Sequence, residues 1–219
     1  MGELERRPVW DLPTRIFHWG LALSVFLSMF IVYGKKYLAL HVISGSVAFA
    51  LIIGRLVWGF VGTRYVRFSA FVKGADEIKQ EFALIKDEEK HHHTVGHPAV
   101  AGWVMLFLMF CAFIVGVSGW LLFLSVNSDM KEAVLFWHEV FANLLLAIAF
   151  IHIQGVFLHI LLHRDAIVQG MVDGKRPAYP HEQISALNRR QKVIALLWFG
   201  GSIAVFAFAF WLVKNYTFV

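Results

Sequence analysis

Cysteine is almost absent from this chain. Cys111 stands alone in the middle of an apolar run, which excludes an internal disulfide and any metal cluster that needs several thiolates. Charge is scarce too: Asp, Glu, Lys and Arg make up 16% of the 219 residues, too few to give each long segment a polar face. There is no glycine-rich phosphate loop, no nucleophile elbow and no pair of carboxylates at catalytic spacing. Internal repeats and broken apolar segments, the usual marks of a transporter, are also missing. The segment after Met1 lacks a small-residue cleavage site behind its apolar run, and Arg6-Arg7 stands without the rest of a twin-arginine signal. The first apolar segment is therefore expected to be permanent.

Hydrophobic residues are plentiful, at 58%, with 21 Phe and 8 Trp. They gather into five runs, at 15–34, 38–60, 98–124, 134–162 and 192–213. Each approaches or exceeds the roughly 20 residues that span a hydrocarbon core as helix. The expectation is an all-α membrane protein forming one integral membrane domain over 1–219, with lipid as its surroundings. The formal net charge of +5 could point to nucleic acid, but its placement argues against that partner. Sixteen of the twenty Lys and Arg lie at or before Arg15, from Arg55 to His97, or from Arg164 to Lys192. Lys35, Lys36, Lys131 and Lys214 make up the remainder. By the positive-inside rule the N-terminus is cytoplasmic, and five spans place the C-terminus outside.

The fourth run carries the chemistry. FWHEVFANLLLAIAFIHIQGVFLHILLH, residues 136–163, contains His138, His152, His159 and His163. Fourteen residues at 100° each end only about 40° short of four full turns, so His138 and His152 leave one helix face, roughly 21 Å apart along the axis. Ionisable groups inside a bilayer are costly and point to function. A lone histidine in an apolar helix is more often a hydrogen-bonded core residue, but this pair has partners. His18 lies at the depth of His152, and His41 lies near the outer surface at the depth of His138. Two histidine pairs stacked across a bilayer suit two haems, each held between axial imidazoles from facing helices. With no C-x-x-C-H in the chain, those haems would be non-covalent.

Arg55 follows His41 by fourteen residues and shares its helix face, at the depth of the inner histidine pair. A haem propionate would give it an anionic partner; the alternative is a side chain that snorkels to the interface, as expected of Arg64 and Arg67. His159 and His163 continue near the ligand stripe and read as interfacial histidines. His159 in place of His152 would stretch the ligand separation to about 31 Å. His91-His92-His93 cannot converge from one helix face and reads as a solvated loop; His97 reads as a cap or interfacial residue. Gly20, Gly45, Gly116, Gly119 and Gly155 allow close approach within the spans. The third run offers no ligand and is expected to close the bundle; the fifth reads as a peripheral anchor. Pro8 and Pro13 delay the first helix, which Asp11 or Thr14 would cap, and Gly174, Pro177 and Pro180 break the loop before the fifth.

Four stretches resemble the bacterial cytochrome b561 family, which includes the b-type subunits of nickel–iron hydrogenases. They are VWDLPTRIFHW, LHVISGSVAFALIIGRLVWGFVGTRYVRF, GHPAVAGWVML and LLHRDAIVQGMVDGKRP. The likeness covers a core of about 7–177 and leaves the helix at about 192–213 as an addition. It implies a four-helix transmembrane di-haem bundle, here with a fifth C-terminal transmembrane helix. It also implies two haem b groups on His18, His41, His138 and His152, and electron exchange with quinone in a bacterial inner membrane. With both irons six-coordinate, the haems would pass electrons rather than bind oxygen. The redox partner would be a small oxidant or a protein, such as a cytochrome c or a dehydrogenase subunit. Two other readings stand beside this one: a membrane anchor for a hydrogenase or dehydrogenase, and a haem-free metal or proton transporter lined by histidines.

Overall fold

The fold is built from helices because a bilayer offers the backbone no water, and a helix satisfies its own peptide groups. The computed structural model describes residues 5–30, 35–79, 99–124, 128–163, 167–178 and 186–215. Five long helices dominate: α1 (Leu12–Phe30), α2 (Lys35–Val61), α3 (Ala99–Phe123), α4 (Ser128–His163) and α5 (Arg189–Asn215). Four of these, α2 to α5, are long and apolar enough to cross a membrane. Over its 19 described residues α1 is not among them, because Arg15, His18, Trp19 and Gly20 dilute its first turns. α4, at 36 residues, begins six residues earlier than the apolar run suggested.

Side chains fix the helix ends. Asp11 caps α1, its Oδ1 accepting the Thr14 backbone N–H at 2.9 Å, and Pro13 sits in the first turn, where its missing N–H costs nothing. At the C-terminal end of α2 the carbonyls of Val61 and Gly62 would be orphans. Gln191 of α5 donates to both through Nε2, at 2.9 and 3.0 Å, and Arg67 Nε adds a bond to Gly62 at 2.8 Å.

The N-terminal stretch and the segment before α5, where the sequence predicts loops, form regular structure. Glu5–Pro8 (β1) pairs antiparallel with Lys175–Ala178 (β2), in the register Glu5↔Ala178 to Pro8↔Lys175. A two-turn helix, Ile167–Asp173, precedes β2. Gly174 makes the turn between them at φ +82°, a conformation that favours glycine, and its carbonyl accepts the N–H groups of Val9 and Trp10. Arg15 and Trp19 of α1 donate to the carbonyls of Val172 and Met171. This sheet marks one end of the bundle, called here the sheet end.

α2 is the centre of the packing, lying against α1, α3 and α5, while α4 packs chiefly on α3. The buried cluster includes Phe17, Leu51, Ile52, Trp58, Met109, Cys111, Leu145 and Ile148. Ala195 and Trp198 of α5 belong to the same cluster. α5 is therefore part of the core and not a peripheral anchor. Trp198 lies directly on Gly54 of α2, where the missing side chain makes room for an indole.

Candidate functional site

The structure brings the sequence-marked histidines together in pairs. At the end away from the sheet, His41 of α2 and His138 of α4 have ring centroids 6.1 Å apart and ring planes at 70°. Nearer the sheet end, His18 of α1 and His152 of α4 lie within charge–charge range of each other. α4 supplies one member of each pair because positions fourteen residues apart return to nearly the same face. Among the described residues no three His, Cys, Asp or Glu side chains gather into one site, so these histidines meet as pairs.

Each ring at the far end is held by its Nδ1. His41 Nδ1 lies 2.8 Å from the backbone carbonyl of Ser28, which as an acceptor fixes the proton on that nitrogen. His138 Nδ1 lies 3.0 Å from Ser118 Oγ of α3. Both Nε2 atoms are left as the available metal donors. The Ser28 hydroxyl pairs with that of Ser44 at 2.7 Å, tying α1 to α2 beside His41. Gly119 lets α3 approach His138; a Cβ there would stand 3.3 Å from the ring's Cε1. α3 thus shapes the site without supplying a ligand. Gly119 is among the glycines marked for close approach, whereas Ser118 carries no signal in the sequence because it is not ionisable and looks like an ordinary packing residue.

Arg55 does not snorkel. It is 6% exposed, and its guanidinium lies 5.4 Å from the centre of the Phe68 ring and 5.9 Å from those of Phe17 and Phe71. Nη2 donates to the Val66 carbonyl at 2.9 Å, whereas Nη1 is buried with no hydrogen-bond partner among the described residues. Cation–π contacts are worth roughly 1–2 kcal/mol each when desolvated, and the Asp11 carboxylate adds a favourable interaction with the guanidinium through space. The hydrogen bonds of that carboxylate go elsewhere: Oδ2 accepts from Thr63 Oγ1 at 2.8 Å and Trp58 Nε1 at 3.3 Å. The nitrogen Nδ1 of His18 is likewise buried without a partner among the described residues.

These residues fit a haem. Two imidazoles bound to one metal at roughly 2.0 Å each place their ring centroids about 6 Å apart, as for His41 and His138. Pairs suit a macrocycle that provides the other four metal ligands, whereas a metal held by protein alone needs about four. The buried Arg55 nitrogen suits an acidic substituent on that macrocycle.

A profile of the family described as prokaryotic cytochrome b561 matches residues 9–174. The chain belongs to the prokaryotic cytochrome b561 family. Membership and the apolar helices make this a multi-pass membrane cytochrome b, a haem b protein that transfers electrons. One curated relative of this b561 chain is named "Probable Ni/Fe-hydrogenase B-type cytochrome subunit", from Bradyrhizobium diazoefficiens. It is 24% identical over 214 residues, covering 77% of this chain and 85% of the relative. No solved structure matches the chain significantly.

Of the remaining sequence-marked histidines, two belong to α4. His159 is partly buried on α4, seven residues beyond His152, and His163 ends that helix. His91, His92, His93 and His97 lie outside the described residues.

Proposed function

We propose that this protein carries electrons across a bacterial inner membrane through two haem b groups. One would be held by His41 and His138, the other by His18 and His152, with Arg55 as the cationic partner of a propionate. The observation that carries this reading is the far-end pair: two imidazoles from facing helices, 6.1 Å apart, each with Nδ1 on an acceptor. When bound, haem supplies a reversible one-electron change at iron. The chain fixes the far-end imidazoles by hydrogen bonds, and a haem held by two histidines would be left with no open site for oxygen.

The charge distribution of the sequence supports a cytoplasmic N-terminus and sheet end, and an external C-terminus. Electrons would then pass between quinone in the bilayer and a redox partner, either a cytochrome c or a dehydrogenase subunit. The name of the Bradyrhizobium relative favours a more specific second reading, in which the chain is the membrane anchor of a hydrogenase-type complex. A haem-free transporter is disfavoured by histidines that meet in pairs rather than in clusters able to coordinate a bare ion.

The test is a reduced-minus-oxidised spectrum of the purified protein with a pyridine haemochrome assay. The expected result is b-type bands and about two protohaems per chain, both extracted by acid acetone because the chain has no thioether motif. A covalently retained haem, or one haem per chain with haem loss excluded, contradicts this reading.

A further inference from the structure

The two far-end imidazoles are anchored by different devices. His41 gives its Nδ1 proton to a backbone carbonyl, which no substitution can remove. His138 leans on a side chain. Ser118 is 6% exposed, and its Oγ lies 3.0 Å from His138 Nδ1, 2.7 Å from the Ile114 carbonyl and 3.1 Å from the Val115 carbonyl.

A hydroxyl has one proton, and a carbonyl can only accept. The shortest of the three contacts is to the Ile114 carbonyl, so the Ser118 proton goes there and its oxygen faces His138 as an acceptor. The proton between Ser118 and His138 must then sit on Nδ1, which leaves Nε2 bare. Serines in apolar helices commonly bond the carbonyl four residues earlier and do nothing more. Ser46 and Ser202 do so here, bonding Val42 and Trp198 at 2.7 and 3.0 Å. Ser118 makes the same bond and, in addition, receives a ring nitrogen from another helix. The next residue, Gly119, leaves the space that lets α3 come up to the imidazole. The Val115 carbonyl, in the same turn, is a second acceptor within reach of His138.

We infer that Ser118 is a positioning residue for the iron held by His138: through the chain His138 Nδ1–H to Ser118 Oγ to the Ile114 carbonyl, it fixes the ligating tautomer and tunes the imidazole's electron donation. This rests on the reading of His41 and His138 as axial ligands. An acceptor on Nδ1–H pushes electron density toward Nε2 and so favours the oxidised iron. Removing it should raise the reduction potential. The effect should be confined to the far-end haem, because in the hydrogen bonding of the described residues Ser118 contacts His138 alone of the four histidines, and His18 Nδ1 has no partner among them.

The experiment compares the full-length, haem-loaded protein with Ser118→Ala, Ser118→Thr and His138→Leu. It follows haem content, the two midpoint potentials and the low-spin ferric resonances. Ser118→Ala is expected to raise one potential and alter one low-spin resonance, the one that His138→Leu abolishes. Ser118→Thr, which keeps the hydroxyl, should match the parent in both readouts. Loss of that one haem in Ser118→Ala with retention in Ser118→Thr would also support the inference. Unchanged potentials and resonances in Ser118→Ala, with one signal still lost in His138→Leu, would show that Ser118 only satisfies its own helix. Equal changes at both haems would overturn the inference as well. If His138→Leu kept both low-spin signals, the ligand assignment itself would fall, and the inference with it.

Discussion

Trp198 of α5 rests on Gly54 of α2 so closely that a Cβ at position 54 would stand 1.9 Å from the indole Cδ1 and Nε1. The neighbouring Arg55 points into the aromatic cage of Phe17, Phe68 and Phe71, and Trp198 packs on Phe17 with ring centroids 5.7 Å apart. The fifth helix thus packs on Phe17, the residue before His18 on α1. In a bilayer this kind of close fit, rather than expulsion of water, holds helices together.

Gly54→Ala should therefore separate α5 from α2. Overpacking of this kind costs about 1–3 kcal/mol, and the thermal midpoint in detergent should fall. Adding Trp198→Ala to Gly54→Ala should restore part of the loss, because the two side chains compete for one space. Strictly additive losses in the double variant would show that the contact does not couple the helices.

Asp11→Ala should destabilise the sheet end by an amount on the order of 2–3 kcal/mol. It removes the cap of α1 and leaves Thr63 and the fully buried Trp58 without their acceptor. Asp11→Asn keeps an acceptor oxygen and should lose less. Thermal unfolding monitored by haem absorbance separates the two, and equal losses would contradict this account of the cap.

Much of this arrangement was legible in the sequence, for definable reasons. Long apolar runs have few alternatives to helix in a bilayer, so the five helices could be placed within several residues. Fourteen-residue spacing on a regular helix projects His138 and His152 to one face, and depth alone matched them to His41 and His18. The β1–β2 pairing was not legible, because two four-residue strands separated by more than 160 residues carry no alternation to detect. Nor was the role of α3, where Ser118 and Gly119 act through hydrogen bonding and shape. The helix ends were harder than the helices: nothing in the sequence announces that Gln191 caps α2 from the start of α5.

Arg55→Leu should retain both haems and lower the reduction potential of the one nearer the sheet end. A buried cation stabilises the extra electron, so removing it disfavours reduction, by an energy on the order of 1 kcal/mol. Arg55→Lys should keep much of the potential, because the charge remains. A redox titration of the leucine variant with both potentials unchanged would detach Arg55 from the haem site.

The pairing of the four histidines is the central claim, and low-spin resonances recorded for four single substitutions test it most directly. His18→Leu and His152→Leu should each damage the same haem, turning it high-spin or emptying it while the other stays low-spin. His41→Leu and His138→Leu should damage the second haem and spare the first. If His152→Leu were silent while His159→Leu abolished the haem that His18→Leu abolishes, the ligand on α4 would be His159. His152 would then be a core histidine, and the pairing proposed for the sheet end would be wrong.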